Sequence, residues 1–323
     1  MIYTITLNPA LDKTVVIPSF GVDQVNRVKQ IRLDPGGKGI NVSKMIASLG
    51  GTSVAVAALG GAAGKQWKQL AEGCGFAIHT IPAMGETRTN LKVVDPVGHT
   101  NTDINEPGAP IEDAVMEDLI CWLEETLLPG DILVMSGSVP AGVDPGIYGR
   151  LTSLCHKRQS RAIVDADGPL LRAALAAGPT LIKPNHHELA AYAGHALYSK
   201  EEQLQVVRKL LHDGAQMVLV SLGPDGAMLC WQEDGVFYYC EVRSPEVTVA
   251  STVGAGDSMV GTVAYGMEQG VSREELLYLA VAAGTAAVTC DGSQAPGRDQ
   301  VETIYPLISG GKSCILSKGS DSL

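Results

Sequence analysis

Short runs of β-branched and aliphatic residues alternate with helix-like segments along most of this 323-residue chain. The strand-like runs fall at 2–6, 54–57, 132–135, 162–165, 181–183 and 217–221. The helix-like segments fall at 41–49, 111–127, 147–159, 170–177 and 201–213. This alternation predicts an α/β fold, in which a doubly wound, mostly parallel sheet carries helices on both faces.

Two segments, at about 11–33 and 87–104, break this rhythm with β-prone patterns and no helix. They predict a small antiparallel sheet that projects from the main body as a lid. A hairpin over 227–242 and two helices, at 256–269 and 273–289, complete the pattern. We therefore expect one domain over 1–310 and a frayed tail over 311–323, which is rich in Gly, Ser and Lys.

The charge balance restricts the class of partner. With 24 basic and 35 acidic residues the net charge is −11, which argues against a nucleic acid or an anionic membrane. The seven cysteines are scattered without a C-x-x-C pair, as expected of buried free thiols in a reducing compartment. No apolar run reaches about 18 residues, so we expect a cytoplasmic protein with no membrane partner.

The segment TVGAGDS at 252–258 is a glycine-rich turn that enters a helix-like stretch. Glycines allow a sharp turn and a close ligand approach, and the first N–H groups of a helix bind anions. Asp257 would repel a phosphate in such a cradle. Its presence there makes sense if it takes a proton while the neighbouring amides hold negative charge. A capped helix start explains the motif equally well.

A second glycine-rich turn, GGKGIN at 36–41, also enters a helix, although such turns are common in ordinary loops. Polar groups end three predicted parallel strands, at Asp165, Lys183 and Ser221, and ligands of open α/β sheets bind at such strand ends. Asn185 and Glu188 lie three residues apart at a predicted helix start. They either cap the helix or hold water around Mg²⁺, which keeps several waters in protein sites.

Several familiar motifs are incomplete. The GKS at 311–313 lacks the first glycine of a Walker loop, and His187-Glu188 lacks the second histidine of a zinc-protease helix. No G-x-G-x-x-G follows the first strand, and Ser138 is not in a G-x-S-x-G elbow. Dehydrogenase and serine-hydrolase chemistry therefore have no support.

The order TLNPALD, DPGGKGINVSK, TRTN, SGSVP, KPNHHE, SLGPDGA and STVGAGDSMVG resembles the ribokinase-like pfkB carbohydrate kinases over residues 1–307. Within that family the chain is most similar to the 1-phosphofructokinases, and VNRV at 25–28 and TDIN at 102–105 favour them. Tagatose-6-phosphate kinases and minor 6-phosphofructokinases are close relatives. The resemblance implies a kinase that uses ATP and Mg²⁺, and a homodimer joined through the lid.

The resemblance also implies a role for individual residues. Asp257 matches the catalytic base, beside an anion hole made by the amides of Gly254, Ala255 and Gly256. The implied sugar-phosphate residues are Asp12, Arg27, Gly36, Gly37, Lys38, Asn41, Arg88 and Ser138. The implied ATP residues are Lys183, Asn185, Ser221, Gly223 and Gly226, with Glu188 and Asn185 assigned to Mg²⁺. One departure is Asp167, which stands where relatives usually carry Ser or Thr.

The expected reaction is ATP-dependent phosphorylation of a ketohexose monophosphate, fructose 1-phosphate to fructose 1,6-bisphosphate. A sister kinase that acts on tagatose 6-phosphate or fructose 6-phosphate is the nearest alternative. A non-catalytic regulator that binds nucleotides or sugar phosphates is a different class, and the intact Asp257 speaks against it. Phosphoryl transfer needs mainly positioning and charge neutralisation, which these residue types supply.

Overall fold

A computed structural model of the protein describes residues 1–292, 294–309 and 317–319. The strands, in chain order, are β1 Ile2–Thr6, β2 Ala10–Val16, β3 Gln30–Gly36, β4 Ser53–Leu59, β5 Ala77–Pro82, β6 Arg88–Asp95, β7 Thr100–Asn105, β8 Ile132–Ser136, β9 Arg161–Asp165, β10 Leu181–Ile182, β11 Met217–Ser221, β12 Ala227–Glu233, β13 Val236–Val242 and β14 Ser317–Gly319.

The helices, in chain order, are α1 Lys38–Ser48, α2 Gly61–Ala71, α3 Asp113–Thr126, α4 Ile147–Lys157, α5 Gly168–Ala176, α6 His186–Ala193, α7 Lys200–His212, α8 Ala255–Gln269, α9 Arg273–Ala287 and α10 Arg298–Ser309. The α/β alternation predicted from the sequence is confirmed. The helix α2 and the strand β5 after it were not predicted, because the glycine-rich 60–64 reads as a turn.

The main sheet has the strand order β14-β13-β12-β11-β10-β9-β8-β1-β4-β5. The seven strands from β11 to β5 run parallel, and the hairpin β12–β13 adds antiparallel strands at one edge. Strands β1 and β8 are buried at every position, as expected when helices cover both faces of a parallel sheet. One hydrophobic cluster packs on each face of the sheet.

The lid is a separate sheet with the strand order β3-β2-β6-β7, formed by the two segments that the sequence singled out. It is mixed rather than antiparallel, because β2 and β6 pair in parallel while the other two pairs are antiparallel. Between β3 and β6 the chain passes through two strands and two helices of the main body, and such a long crossover lets β6 return in the same direction as β2. Val15, Ile17 and Val93 form its small core.

The cysteines and the C-terminal tail differ in part from what the sequence predicts. Cys74, Cys121, Cys155, Cys230 and Cys290 are free, and Cys155 and Cys230 are buried as predicted. Cys121 is exposed and Cys240 is disulfide-bonded, so the prediction of buried free thiols is wrong for these two. The predicted frayed tail, 311–323, lies outside the described residues except for 317–319, which pair with β13. Within the described residues, no helix combines the length and apolar character needed to cross a membrane.

Candidate active site

Polar side chains from four neighbouring strands meet at the carboxyl edge of the main sheet. Ser136 ends β8, Asp165 ends β9, Lys183 follows β10 and Ser221 ends β11. The helices α1, α5, α6 and α8 begin at this same edge, because each follows a strand or the lid. The edge therefore combines fixed side chains with the unpaired N–H groups of several helix N-termini.

The turn before α8 presents a buried carboxylate. Gly254 has a left-handed backbone, with φ 83°, that residues with a side chain rarely adopt, and it begins the helix without a side-chain cap. Asp257, in the first turn, is only 7% exposed. Its Oδ2 accepts a hydrogen bond of 2.8 Å from Nδ2 of Asn41 in α1. The two glycine-rich motifs of the sequence thus converge on one carboxylate.

Burial raises the pKa of the Asp257 carboxyl to about 6, and the negative charge of Asp165 adds to this effect. The hydrogen bond from Asn41 and the charges of Lys38 and Lys183 act in the opposite direction. The N–H groups at the start of α8 favour the ionised carboxylate as well, because a helix N-terminus stabilises negative charge. Burial outweighs them, because the folded chain removes this carboxylate almost completely from water.

Asp165 is the charged centre beneath the site and is 1% exposed. Its carboxylate lies 3.2 Å from Nζ of Lys183 and 3.5 Å from Nζ of Lys38, and it accepts a 3.1 Å hydrogen bond from Ser136 Oγ. Although burial acts to raise the pKa of Asp165, Lys183 and Lys38 hold it below its usual range. Asp165 in turn raises the pKa of Lys38, so this lysine is held charged. The ion pairs with Asp165 hold both lysines in place.

Lys183 is also held close to the turn before α8. A Cβ placed on Gly256 would lie 3.3 Å from Nζ of Lys183, so the ammonium lies against the glycine backbone. This brings a cation beside the first-turn amides of α8. Both kinds of group attract an anion such as a phosphate.

A cavity of about 230 Å³ opens beside Lys38. It is lined by Thr6, Asn8, Lys38, Arg88, Ser136, Gly137, Ser138, Ala166 and Asp167. Within the described part of the chain, the buried Nε of Arg88, Oγ1 of Thr6 and Oδ1 of Asn8 have no hydrogen-bond partner. Buried polar atoms normally find partners, so these atoms mark where a polar ligand would bind.

Arg88 begins β6 at the junction of lid and body. Its guanidinium donates two hydrogen bonds, one of 3.1 Å from Nη2 to the carbonyl of Asn8 and one of 3.4 Å from Nη1 to the carbonyl of Glu106. These bonds leave its buried Nε without a partner. Ser138, which lines the same cavity, accepts a 3.1 Å hydrogen bond from Nδ2 of Asn8.

Asp12 lies on β2, where the lid sheet meets the turn before α1. Its Oδ1 accepts a 3.0 Å hydrogen bond from Nδ2 of Asn90. A Cβ on Gly36 would lie 2.1 Å from Oδ2 of Asp12, so the carboxylate occupies space that any side chain at Gly36 would fill. Burial raises the pKa of Asp12, against the effects of Asn90, Lys44 and Arg88. Gly37 follows with φ 126°, which glycine adopts most readily.

The residues assigned to ATP lie together on the other side of Asp165. Asn185 bridges to Ser221 in the sheet, and the amide of Ser221 donates to the carbonyl of Pro184 at 3.1 Å. Directly after Ser221, Gly223 and Gly226 bound a one-turn 3₁₀-helix, and the amide of Leu222 closes the turn on the carbonyl of Gly226.

Asn185 and Glu188 form a capping box at the start of α6. Oδ1 of Asn185 accepts from the amides of His187 and Glu188, and Oε2 of Glu188 accepts from the amide of Asn185. The structure therefore contains the helix cap, which was one of the two roles that the sequence allowed for this pair. The charge of Glu188 also raises the pKa of Lys38, after the larger effects of Asp165 and Asp257, so its carboxylate lies near enough to Lys38 to act on it. Among the described residues, no group of three or more His, Cys, Asp or Glu side chains is arranged to bind a metal.

The structure brings together most of the residues singled out from the sequence. The exception is Arg27, which is exposed on the lid loop between β2 and β3 and does not line the cavity. Sequence reasoning missed Thr6, Asn8 and Asn90 as site residues. All three lie inside the TLNPALD and TRTN motifs. Thr6 also ends a parallel strand, and the end of such a strand is where ligands of open α/β sheets bind.

A doubly wound sheet with this carboxyl edge and a glycine-framed aspartate is the arrangement expected from the resemblance to the carbohydrate kinases. The sequence model of the family described as pfkB family carbohydrate kinase matches residues 5–300. The chain belongs to this family and is an ATP-dependent carbohydrate kinase.

The protein is 37% identical to a 1-phosphofructokinase of Rhodobacter capsulatus over 307 residues, which cover 94% of this chain and 95% of that one. It is also 37% identical to ATP-dependent 6-phosphofructokinase isozyme 2 of Escherichia coli strain K12 over 313 residues, which cover 95% and 99%. The crystal structure of phosphofructokinase-2 from Escherichia coli in complex with fructose-6-phosphate superposes with a TM-score of 0.88 at 35% identity, covering 95% and 99% of the two chains. The chain is thus similar to sugar-phosphate kinases of two specificities.

Proposed function

We propose that the protein transfers the γ-phosphoryl group of ATP to a hydroxyl of a ketohexose monophosphate, converting fructose 1-phosphate to fructose 1,6-bisphosphate. The observation that carries this proposal is the buried Asp257, hydrogen-bonded to Asn41 and framed by the glycine turn of α8. A carboxylate with a pKa of about 6 is largely ionised at neutral pH, and it is a far better base than an exposed aspartate.

The sugar phosphate would bind in the cavity at the junction of lid and body. Arg88 and Lys38 supply positive charge there, in a protein whose net charge is −11. The side chains of Asp12 and Asn41 and the turn at Gly36 and Gly37 would hold the sugar hydroxyls. Ser138 would contact the sugar phosphate in the same cavity as Arg88. Charge-assisted hydrogen bonds to a phosphate are among the strongest that side chains make.

In the proposed reaction, Asp257 accepts the proton of the attacking hydroxyl. The amides of Gly254, Ala255 and Gly256 and the ammonium of Lys183 would hold the charge on the transferring phosphoryl group. The triphosphate would extend over Lys183, Asn185 and Ser221 towards the turn at Gly223 and Gly226. Asp165 does not act on the substrate in this scheme, because both of its oxygens are directed to Lys183, Lys38 and Ser136.

The residues present fit a hydrated Mg²⁺ ion, since this ion keeps several waters and needs few protein carboxylates. Glu188 would hold it with Asn185 nearby, because the Glu188 carboxylate lies near enough to Lys38 to act on its charge. When bound, Mg²⁺ neutralises charge on the phosphates. The capping box is compatible with this role, since it engages only Oε2 of Glu188.

A 6-phosphofructokinase or a tagatose-6-phosphate kinase is the second candidate function. The Escherichia coli relative named as 6-phosphofructokinase is as similar to this chain as the 1-phosphofructokinase. A regulator without catalysis is disfavoured, because a binding protein has no use for a buried base in an anion cradle.

Steady-state kcat/KM values on a panel of fructose 1-phosphate, fructose 6-phosphate, tagatose 6-phosphate and unphosphorylated fructose test the proposal. We expect the highest value for fructose 1-phosphate and a much lower one for fructose. A higher value for either 6-phosphate would replace the proposed substrate, and no turnover on any of them would overturn the proposed function.

We also propose that the protein forms a homodimer through the lid and works in the cytoplasm, where ATP and sugar phosphates are found. The lid carries six exposed aliphatic side chains, Val22, Val25, Val28, Ile31, Val97 and Ile104. A small sheet with exposed apolar side chains is stabilised when a second surface covers it.

A further inference from the structure

Lys44, in the middle of α1, lies beneath the junction of lid and body. Its Nζ donates a 2.6 Å hydrogen bond to the carbonyl of Pro35, near the end of β3. The next carbonyl, that of Gly36, accepts a 3.1 Å hydrogen bond from Nε1 of the fully buried Trp67 in α2. Two successive carbonyls at the end of the lid strand are therefore tied to two different helices of the main body.

Pro35 and Gly36, whose carbonyls are held by these two hydrogen bonds, also set the position of Asp12. In the lid sheet, Asp12 is paired with Asp34 and its neighbour Leu11 with Pro35. The Asp12 carboxylate fits only because Gly36 lacks a side chain, since a Cβ there would lie 2.1 Å from Oδ2. A shift of Pro35 and Gly36 relative to α1 therefore moves the surface against which this carboxylate rests.

Lys44 also acts on Asp12 through its charge. Asp12 faces Arg88 from β6 and Asp34 from β3, accepts from Asn90, and has Lys44 below it in α1. Lys44 in turn faces Asp34, Asp12, Asp257 from α8 and Cys74 after α2. Burial lowers the pKa of Lys44 and raises that of Asp12, so each buried charge makes the other less costly.

We propose that Lys44 is a positioning residue for the sugar phosphate: its ammonium fixes the end of β3 and so holds Asp12 in place. The proposal rests on the proposed function, in which Asp12 holds sugar hydroxyls. It adds a residue that does not line the cavity and that acts on the sugar phosphate through Pro35 and Asp12.

The test compares Lys44→Met, which removes the donor and the charge, with Lys44→Arg, which keeps both. In Lys44→Met we expect KM for the sugar phosphate to rise about 10- to 100-fold, the range for a lost hydrogen bond to a charged group. The KM for ATP should change less than about threefold, because the ATP side is built on other elements. Lys44→Arg should recover most of the loss.

The pH profile separates positioning from a general loss of packing. Without the Lys44 charge, Asp12 becomes protonated at a higher pH. As the pH is lowered, the KM for the sugar phosphate should therefore begin to rise at a higher pH in Lys44→Met than in the parent protein. Lys92→Met is the matched control, because Lys92 is a lid lysine whose 3.9 Å ion pair with Asp103 lies away from this junction. It should leave both KM values unchanged.

The variant Asp12→Asn separates the positioning role of Lys44 from the proposed role of Asp12 in sugar binding. If Asp12→Asn raises the sugar-phosphate KM and Lys44→Met does not, the proposal for Lys44 is wrong while the proposed function stands. If Asp12→Asn has no effect, the assignment of Asp12 itself fails. Equal changes in both KM values for Lys44→Met, without rescue by arginine, would also overturn the positioning role.

Discussion

The side-chain amide of Asn41 donates a 2.8 Å hydrogen bond to the buried carboxylate of Asp257, across 216 residues of sequence. This bond joins the helix that follows the lid to the helix that carries the glycine turn. It orients the carboxylate and favours its ionised form, which a base must have before it accepts a proton.

Replacing Asp257 by Asn keeps the shape of the side chain and removes the base. General-base catalysis contributes typically about 10²- to 10⁴-fold, so we expect kcat to fall by that factor. Binding of ATP and sugar phosphate should persist, as measured by calorimetry on the same variant. A kcat within about threefold of the parent value would rule out Asp257 as the base.

The rate should depend on pH through Asp257. Because burial raises its pKa to about 6, the base becomes protonated as pH falls through that value, and kcat should decline below about pH 6 and be constant above it. Asn41→Ala removes a donor that favours the carboxylate, so the acid limb of kcat should move to higher pH. An unchanged limb in this variant would contradict the assignment of that limb to Asp257.

Arg88→Ala should weaken binding of the sugar phosphate selectively. One charge-assisted contact contributes about 1.5–3 kcal/mol, which corresponds to a roughly 10- to 100-fold rise in KM for the sugar phosphate. The KM for ATP should stay nearly constant. Arg150→Ala serves as the control, because Arg150 forms an exposed ion pair with Glu117 on the outer helices. If unphosphorylated fructose proves as good a substrate as the sugar phosphates, Arg88 does not bind a substrate phosphate.

Glu188→Gln should raise the Mg²⁺ concentration needed for half-maximal rate, and excess Mg²⁺ should restore part of the activity. Glutamine also completes a capping box, so thermal stability should change little. Glu202→Gln is the matched control, since Glu202 forms the same box with Ser199 at the start of α7. Equal Mg²⁺ titrations for the two variants would leave Glu188 with a capping role alone.

The lid should join two subunits. Val15 and Ile17 pack inside the lid, whereas Ile31 is 56% exposed on β3. A lysine at Ile31 would place a charge in the proposed contact, so Ile31→Lys should shift the mass measured by light scattering from dimer towards monomer. Leu128→Lys, at an exposed position after α3 and outside the lid, should not. A monomeric parent protein at working concentration would refute the dimer.

The sequence by itself determined the class of fold and much of the site. Alternating strand and helix patterns report burial on two faces of a sheet, which is a local property of the chain. Glycine-rich turns at 36–41 and 252–258, and polar residues at strand ends, are local signals as well. They located Asp257, Asn41, Lys183 and Asp165 before any contact between them was known.

Only the tertiary structure decided how these residues act on one another. The pKa of Asp257 depends on its burial and on its distances from Asp165, Lys38 and Lys183. Asp257 and these three residues come from four separate parts of the chain. The parallel pairing of β2 with β6 and the hydrogen bond from Lys44 to Pro35 likewise depend on how distant elements pack. Desolvation and Coulomb interactions are set by three-dimensional distances, and the residue order of a single chain does not specify those distances.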